Sequence, residues 1–374
     1  MHVAFLTDVA LPYVSGVTVA VRRQRDALRG SGLTVTVVGP RGDVDLAEPD
    51  FHVPGSPPGY RVALFRPRLA PRLRSRGVDL LHAHSVFGAS WAALAAARSL
   101  RAPFVVTVHT RFDEYVHYAR AAAPLAKTLL EPYTAAVVAA ADLVIAPCEE
   151  LAGELRAAGD ARAVRVVAAP VDAALAQGDR ARGRALLGVT DDVPVLLSIS
   201  RLAVEKRAID LVAMLRATAD PRAILAFAGA GPLATDLQDA AARAGVGARV
   251  RLLGQLDTPA LADALAAATV VVSASRSETQ GLALCEAAAA GRAIVAPARG
   301  GYAEVLGDGA GGLFSAAAPT PPALAAAVDR LLGDPPLRLR VAAEAQRRAI
   351  ASWSPDAVAR SLRAAYEAAS AVTE

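Results

Sequence analysis

Two glutamates, Glu278 and Glu286, stand in the run SETQGLALCEAAAAGRAIVAP with the spacing E-x7-E, one just ahead of a helix and one inside it. The apolar stretch TVVVSAS (269–275) reads as a buried strand, and RAIVAP (292–297) as the next one. Between them Leu282, Cys285 and Ala289 read as a short helix closed by Gly291. Glu278 therefore falls in a strand-to-helix loop, where a parallel sheet places its ligands. The amides of Gln280, Gly281 and Leu282 point out of a helix start, a ready anion site. A carboxylate beside a bound phosphate is repelled unless it faces neutral donors, and sugar or ribose hydroxyls are such donors. Taken alone, the pair reads first as a solvated loop residue and a helix-surface residue. The surrounding sequence changes that reading.

SISRLAVEKRAIDLV (198–212) puts Arg201 and Lys206 just past another apolar run. A planar guanidinium and a compact ammonium at one strand end suit a diphosphate; the plain alternative is a solvated basic turn. His109 ends the run PFVVTVH and reads either as a structural histidine or as a group facing a substrate. Gly16, ahead of a helix in SGVTVAV, permits close approach of a ligand to the backbone or serves as an ordinary turn glycine. GAGPLA (229–234), with Gly229 and Gly231, matches the dinucleotide pattern GxGxxG/A loosely. It carries Pro232 and lacks a clear acidic partner about twenty positions on. It reads as a glycine loop approaching a base or phosphate.

These groups need a scaffold that gathers strand ends. The apolar runs 3–7, 33–40, 79–84, 103–109, 142–147 and 164–170 alternate with helical stretches, and the pattern restarts at 194–200, 223–229, 249–254, 269–275 and 292–297. Runs apolar throughout are what a parallel sheet covered on both faces requires. The expectation is α/β: two doubly wound Rossmann-like domains facing a cleft. Their expected bounds are 1–172 and 173–352, with a final amphipathic helix over about 353–374.

The chain has 374 residues, 54% of them hydrophobic but only 5% aromatic, so alanine carries much of the core. No run is long enough to span a bilayer, and the start MHVAFLTD reads as a strand rather than a secretory signal. Cys148 and Cys285 lack metal-ligand spacing and read as buried thiols of a reducing compartment. The expected location is cytoplasmic. The net charge of +4 favours anionic partners mildly. Six arginines in YRVALFRPRLAPRLRSRG (60–77), Arg66, Arg68, Arg72 and Arg74 among them, are interleaved with apolar residues and no acid. The tract reads as a solvated linker or as a segment drawn to the inner face of the cell membrane.

Together these elements resemble the retaining glycosyltransferases of the GT-B fold, in family 4. The resemblance spans nearly the whole chain: the TDxxxP…SGV opening, VTVHT, the RLxxxK turn, GAGP and E-x7-E. It implies that Arg201 and Lys206 hold the donor diphosphate, that Glu278 accepts from sugar hydroxyls, and that Glu286 binds the ribose. It further places His109 near the sugar, Gly16 near the diphosphate, the donor base against the backbone around Gly254, Gln255 and Leu256, and the final helix back on the N-terminal half. HTRFDEYVHYAR (109–120), with Phe112 and Tyr115, and the arginine tract look most like enzymes that glycosylate membrane lipids, such as diacylglycerol glucosyltransferases and phosphatidylinositol mannosyltransferases. Three positions depart from the family pattern: Ser200 and Arg207 stand where glycine is usual, and Ala288 where methionine is common.

The expected reaction is transfer of a hexose, glucose or mannose, from a nucleotide sugar to a lipid hydroxyl, with no metal or other cofactor and no nucleic acid partner. A soluble or polysaccharide acceptor is the alternative. A nucleotide-sugar 2-epimerase would have to use His109 with Asp113 or Glu114, and an oxidoreductase would rest on GAGPLA alone.

Overall fold

The computed structural model describes residues 1–53, 56, 59–109, 123–307, 312 and 320–373. The chain forms two compact units, Met1–Pro170 with Pro355–Glu374, and Val171–Ser354.

In the first unit the strands in chain order are β1 (His2–Leu6), β2 (Thr34–Gly39), β3 (Leu46–Ala47), β4 (Asp50–His52), β5 (Arg61–Ala63), β6 (Leu80–Ala83), β7 (Phe104–Thr107), β8 (Leu143–Ala146) and β9 (Val164–Val166). Seven of them form a parallel sheet in the order β3-β2-β1-β6-β7-β8-β9, while β4 and β5 pair as a separate antiparallel hairpin. All residues of β6, β7 and β8 are buried, as continuous apolar runs require. Side-chain alternation splits β1 between the two faces. Ala4 and Leu6 join the core under the helices Leu69–Arg74, Gly88–Leu100 and Ala123–Ala140. Val3 and Phe5 join the core under Gly16–Gly30 and the final helix Pro355–Thr373. That last helix packs Val358, Leu362 and Tyr366 onto the N-terminal sheet, as expected. Alanines 89, 93, 96 and 97 line one side of the Gly88–Leu100 helix and are all but inaccessible, so small side chains rather than aromatics close this interface.

In the second unit β10 (Val195–Ile199), β11 (Ile224–Ala228), β12 (Val250–Gly254), β13 (Val270–Val272) and β14 (Ala293–Val295) form a parallel sheet in the order β12-β11-β10-β13-β14. Both sheets are doubly wound: the chain starts in the middle, builds outward on one side, then crosses to the other. The crossover leaves a crevice beside the first strand, at the carboxyl ends, where α/β sheets bind ligands. In the second unit that crevice lies between β10 and β13, which are hydrogen-bonded neighbours. Among the described residues no helix is long and apolar enough to cross a membrane.

Candidate active site

The loops leaving β10 and β13 bring Lys206 and Glu278 together. After β10 the chain makes a 3-10 turn over Val204–Lys206 and reaches Arg207 with φ +53°. After β13 it runs through Ser273–Gln280 into the Leu282–Ala289 helix. Lys206 Nζ donates to Glu278 Oε1 at 2.5 Å, and the two side chains are only 14% and 17% exposed. Arg201 Nη2 donates to Glu205 Oε1 at 2.7 Å; the Glu205 side chain is buried and that of Arg201 largely open. Glu286 is buried in the helix.

Gly281 caps this helix in the left-handed conformation, at φ +72°. A Cβ there would stand 2.2 Å from the Tyr302 ring. Gly301 donates its N–H to Glu278 O at 3.1 Å, and a Cβ on Gly301 would meet Gln280 O at 2.1 Å. The glycines of RGGY thus let the Glu278 loop seat directly on backbone, a requirement of the protein's own packing. The Cys285 thiol, buried beneath, donates to Gln280 O at 3.8 Å, and burial raises its pKa. Leu284 N–H and Cys285 N–H turn back to Gly281 O at 2.9 and 3.2 Å, and the amides ahead of them lie at the positive end of the helix.

GAGP is explained the same way. A Cβ on Gly229 would come 1.9 Å from Ser200 O, and one on Gly231 2.3 Å from Leu202 O. Both glycines let the loop after β11 lie against the turn that carries Arg201. Gly229 N–H also donates to Gly254 O at 2.7 Å, which ties the loop to Gln255 and Leu256 beyond β12. Gln255 is exposed and Leu256 half-buried.

The first unit carries its own polar cluster at the carboxyl edge. His109 follows β7, and its Nε2 lies 3.1 Å from His84 Nδ1 just after β6. One imidazole must donate to the other, so both cannot be protonated at once. Burial pushes the His109 pKa down to about 4 and lowers His84 well below the usual range. His82, two residues back on the same face, lies against His84 with the rings tilted by 37° and bridges the Tyr366 hydroxyl and Thr107 Oγ1 at 2.8 and 2.7 Å. Asp8, past the end of β1, accepts from Ala89 N–H at 2.9 Å, and burial raises its pKa. Gly16 begins its helix behind Ser15, whose hydroxyl accepts from Thr18 N–H at 3.2 Å. Nothing lies within 4 Å of the position a Gly16 Cβ would take, so no neighbour forbids a side chain there.

The profile described as Glycosyltransferase Family 4 matches residues 14–175, and that described as Glycosyl transferases group 1 matches 179–348. The chain belongs to the family 4 glycosyltransferases. This glycosyltransferase is 36% identical to D-inositol 3-phosphate glycosyltransferase 1 of Catenulispora acidiphila over 343 residues, 85% of this chain and 80% of the relative. It is 28% identical to alpha-monoglucosyldiacylglycerol synthase of Streptococcus pneumoniae over 321 residues, covering 79% and 71% of the two chains. Anabaena HepE in complex with UDP-glucose superposes with a TM-score of 0.75 over 97% of this chain and 98% of that one, at 19% identity, which establishes the GT-B fold.

Sequence reasoning missed several groups that hold the glycosyltransferase's strand ends in place. His82 and His84 lay in plain view as HAH, and Tyr302 in RGGY, yet a lone histidine or tyrosine carries no signal until its partners are known. The arginine tract also looks different in three dimensions. It contains no acid of its own, but the buried carboxylate of Glu48 binds both Arg66 and Arg72, and Arg74 donates to Ser99 O at 2.6 Å. Leu69 and Leu73 are core residues. Arg68 is exposed. Phe112, Tyr115, Asp113 and Glu114 lie outside the described residues.

Proposed function

We propose that the protein transfers a hexose, glucose or mannose, from a nucleotide-diphosphate sugar to an acceptor hydroxyl with retention of anomeric configuration. The observation that carries this reading is the Lys206–Glu278 pair at the crevice between β10 and β13. The nucleotide sugar is a dianion, its departing nucleoside diphosphate gains a further negative charge as the glycosidic C–O bond breaks, and stabilising that charge is the main electrostatic task. Lys206, Arg201 and the start of the Leu282–Ala289 helix supply positive charge and aligned amides without calling on a metal. Glu278 then turns to the sugar hydroxyls, which it accepts from, and Glu286 to the ribose. Burial holds the His109 imidazole neutral near pH 7.

A membrane lipid is the acceptor favoured. The relative named as a monoglucosyldiacylglycerol synthase supports it. So does a partly exposed aromatic cluster in the first unit, where Phe87 and Trp91, 38% and 40% exposed, contact the Tyr133 ring. Such rings favour membrane interfaces. The enzyme would then act as a peripheral protein of the inner membrane face. A small polar acceptor is the second reading, supported by the 36% identity to an inositol phosphate glycosyltransferase. The deciding experiment incubates the protein with UDP-glucose or GDP-mannose and either diacylglycerol vesicles or inositol phosphate. The product linkage is then assigned by NMR. An α-linked glycolipid is expected, and inverted product or free isomerised nucleotide sugar would refute the reading.

A further inference from the structure

Five arginines line a cavity of about 410 Å³ in the second unit: Arg180, Arg184, Arg222, Arg292 and Arg338. Its wall also includes Pro194, Thr269 and Ala293, where β10, β13 and β14 begin. The cavity therefore lies at the amino-terminal edge of the sheet. Lys206 and Glu278 stand beyond the opposite, carboxyl edge. β10 is five residues long, so the two edges are roughly 15 Å apart. We propose that this cavity is a second anion site, separate from the Lys206–Glu278 crevice, and takes a phosphate ester that carries hydroxyls.

Acidic neighbours offset only part of the positive charge. Arg222 pairs with Asp192 at 3.3 Å and with Asp220 at 3.1 Å, and Arg180 with Asp191 at 3.5 Å. Arg292 donates instead through Nε to Ala290 O at 3.0 Å and through Nη1 to Ala266 O at 3.3 Å. Arg338 Nη1 donates to Leu331 O at 3.0 Å. Among the described residues neither Arg292 nor Arg338 has a carboxylate partner. Arg184 is only 5% exposed, and its Nη1 and Nη2 donate to the carbonyls of Thr190, Val193 and Asp191. Its buried Nε has no hydrogen-bond partner among the described residues, and Asp191 Oδ1 is 3.9 Å away.

Carbonyl contacts of this kind close helix ends. Ala290 and Ala266 lie at the carboxyl ends of the Leu282–Ala289 and Thr258–Ala267 helices. They orient the Arg292 fork without removing its charge. Burial, and after it the charge of Arg180, push Arg184 and Arg292 below the ordinary arginine range. Like charges crowded on a partly buried wall favour an anion between them. Phosphate suits such a set, because guanidinium forks bind its oxygens in pairs. The volume falls within the range of small-molecule pockets, about 300–1,000 Å³. Asp191 and Asp192, both exposed, disfavour a bare ion but accept from hydroxyls. A hydroxylated phosphate ester meets both demands.

Calorimetric titration of glycerol 3-phosphate tests the site. Glycerol is the control without phosphate, and phosphatidylglycerol vesicles present the same chemistry on a lipid. Wild type should bind glycerol 3-phosphate and not glycerol. Arg292→Gln and Arg338→Gln should each weaken binding about tenfold, as loss of a hydrogen bond to a charged group predicts. Thermal melts without ligand show whether these variants fold. Exposed Arg180→Gln, expected to weaken binding in the same direction, serves if they do not. Lys206→Ala should bind glycerol 3-phosphate as wild type does, which separates this cavity from the crevice at the other edge. Binding to vesicles alone, lost in the arginine variants, assigns the phosphate to a lipid headgroup; binding of glycerol 3-phosphate assigns it to a free ester. No binding of either probe, wild-type affinity in every arginine variant, or a loss confined to Lys206→Ala overturns the site.

Discussion

Lys206 Nζ and Glu278 Oε1 stand 2.5 Å apart although 72 positions separate them in sequence. The contact joins the loops of two neighbouring parallel strands at the point where the second sheet changes winding direction. Neither residue is deeply buried, so the pair is held by position and is open to exchange with a ligand.

Lys206→Ala removes one partner of this pair and one cation from the proposed diphosphate site. Loss of a preorganised charge-stabilising donor costs about 10²–10³ in rate. kcat should fall by that amount, and the partly buried Glu278 should destabilise the fold by roughly 1–3 kcal/mol. Steady-state kinetics and denaturant melts check the two effects separately. Arg201→Ala should lower the rate comparably, with Glu205 losing its 2.7 Å partner.

Arg207 adopts φ +53° and ψ 36°, a left-handed conformation that costs a non-glycine residue roughly 1–2 kcal/mol. Its guanidinium pairs with Asp210 at 2.6 Å. Surface pairs of this kind contribute only about 0.3–0.5 kcal/mol. Arg207→Gly should therefore leave stability unchanged or slightly raised, and Arg207→Ile should lower it by about 1 kcal/mol or more. Urea midpoints of the two variants decide this.

His82, His84 and His109 are all pushed below the ordinary histidine range, chiefly by burial. The unfolded chain therefore binds more protons than the folded one below about pH 6.5. Stability is full above that pH and declines as pH falls toward about 4, the folded value for His109. Each histidine adds a slope of roughly 1.4 kcal/mol per pH unit within its window. Thermal melts from pH 7.5 to 5 should show this decline, and a His84→Asn variant should flatten it.

The arginine tract separates into two roles. Arg72→Ala should cost roughly 1–3 kcal/mol of stability, because it strips a partner from the fully covered Glu48 carboxylate. Exposed Arg68 should matter for membranes instead: Arg68→Glu is expected to weaken sedimentation with anionic vesicles by about 1 kcal/mol, roughly fivefold. Unchanged binding would assign the tract to folding alone.

Much of this architecture was legible in the chain. Apolar runs such as LTVTVVGP and AILAFAG became buried parallel strands, trimmed by a residue or so at their ends. E-x7-E and RLxxxK pointed to loops that do meet, because strand ends in a doubly wound sheet converge by topology. The hairpin β4–β5 gave no signal: its strands are three residues each, too short for any periodicity to build up. The Tyr302–Ser273 contact and the Glu48 clamp on Arg66 and Arg72 were equally hidden. They join residues 18 to 29 apart whose types are ordinary, and only packing reveals them. The glycines of GAGP were noticed for ligand approach, whereas the backbone of the Ser200–Leu202 turn already demands them.

The most direct measurement is calorimetric titration of a nucleotide sugar and of its bare nucleoside diphosphate into wild type, Lys206→Ala and Glu278→Gln. Lys206→Ala should weaken both ligands, and Glu278→Gln should weaken only the one that carries the sugar. Wild-type affinity for both ligands in both variants would contradict a nucleotide-sugar site at this crevice.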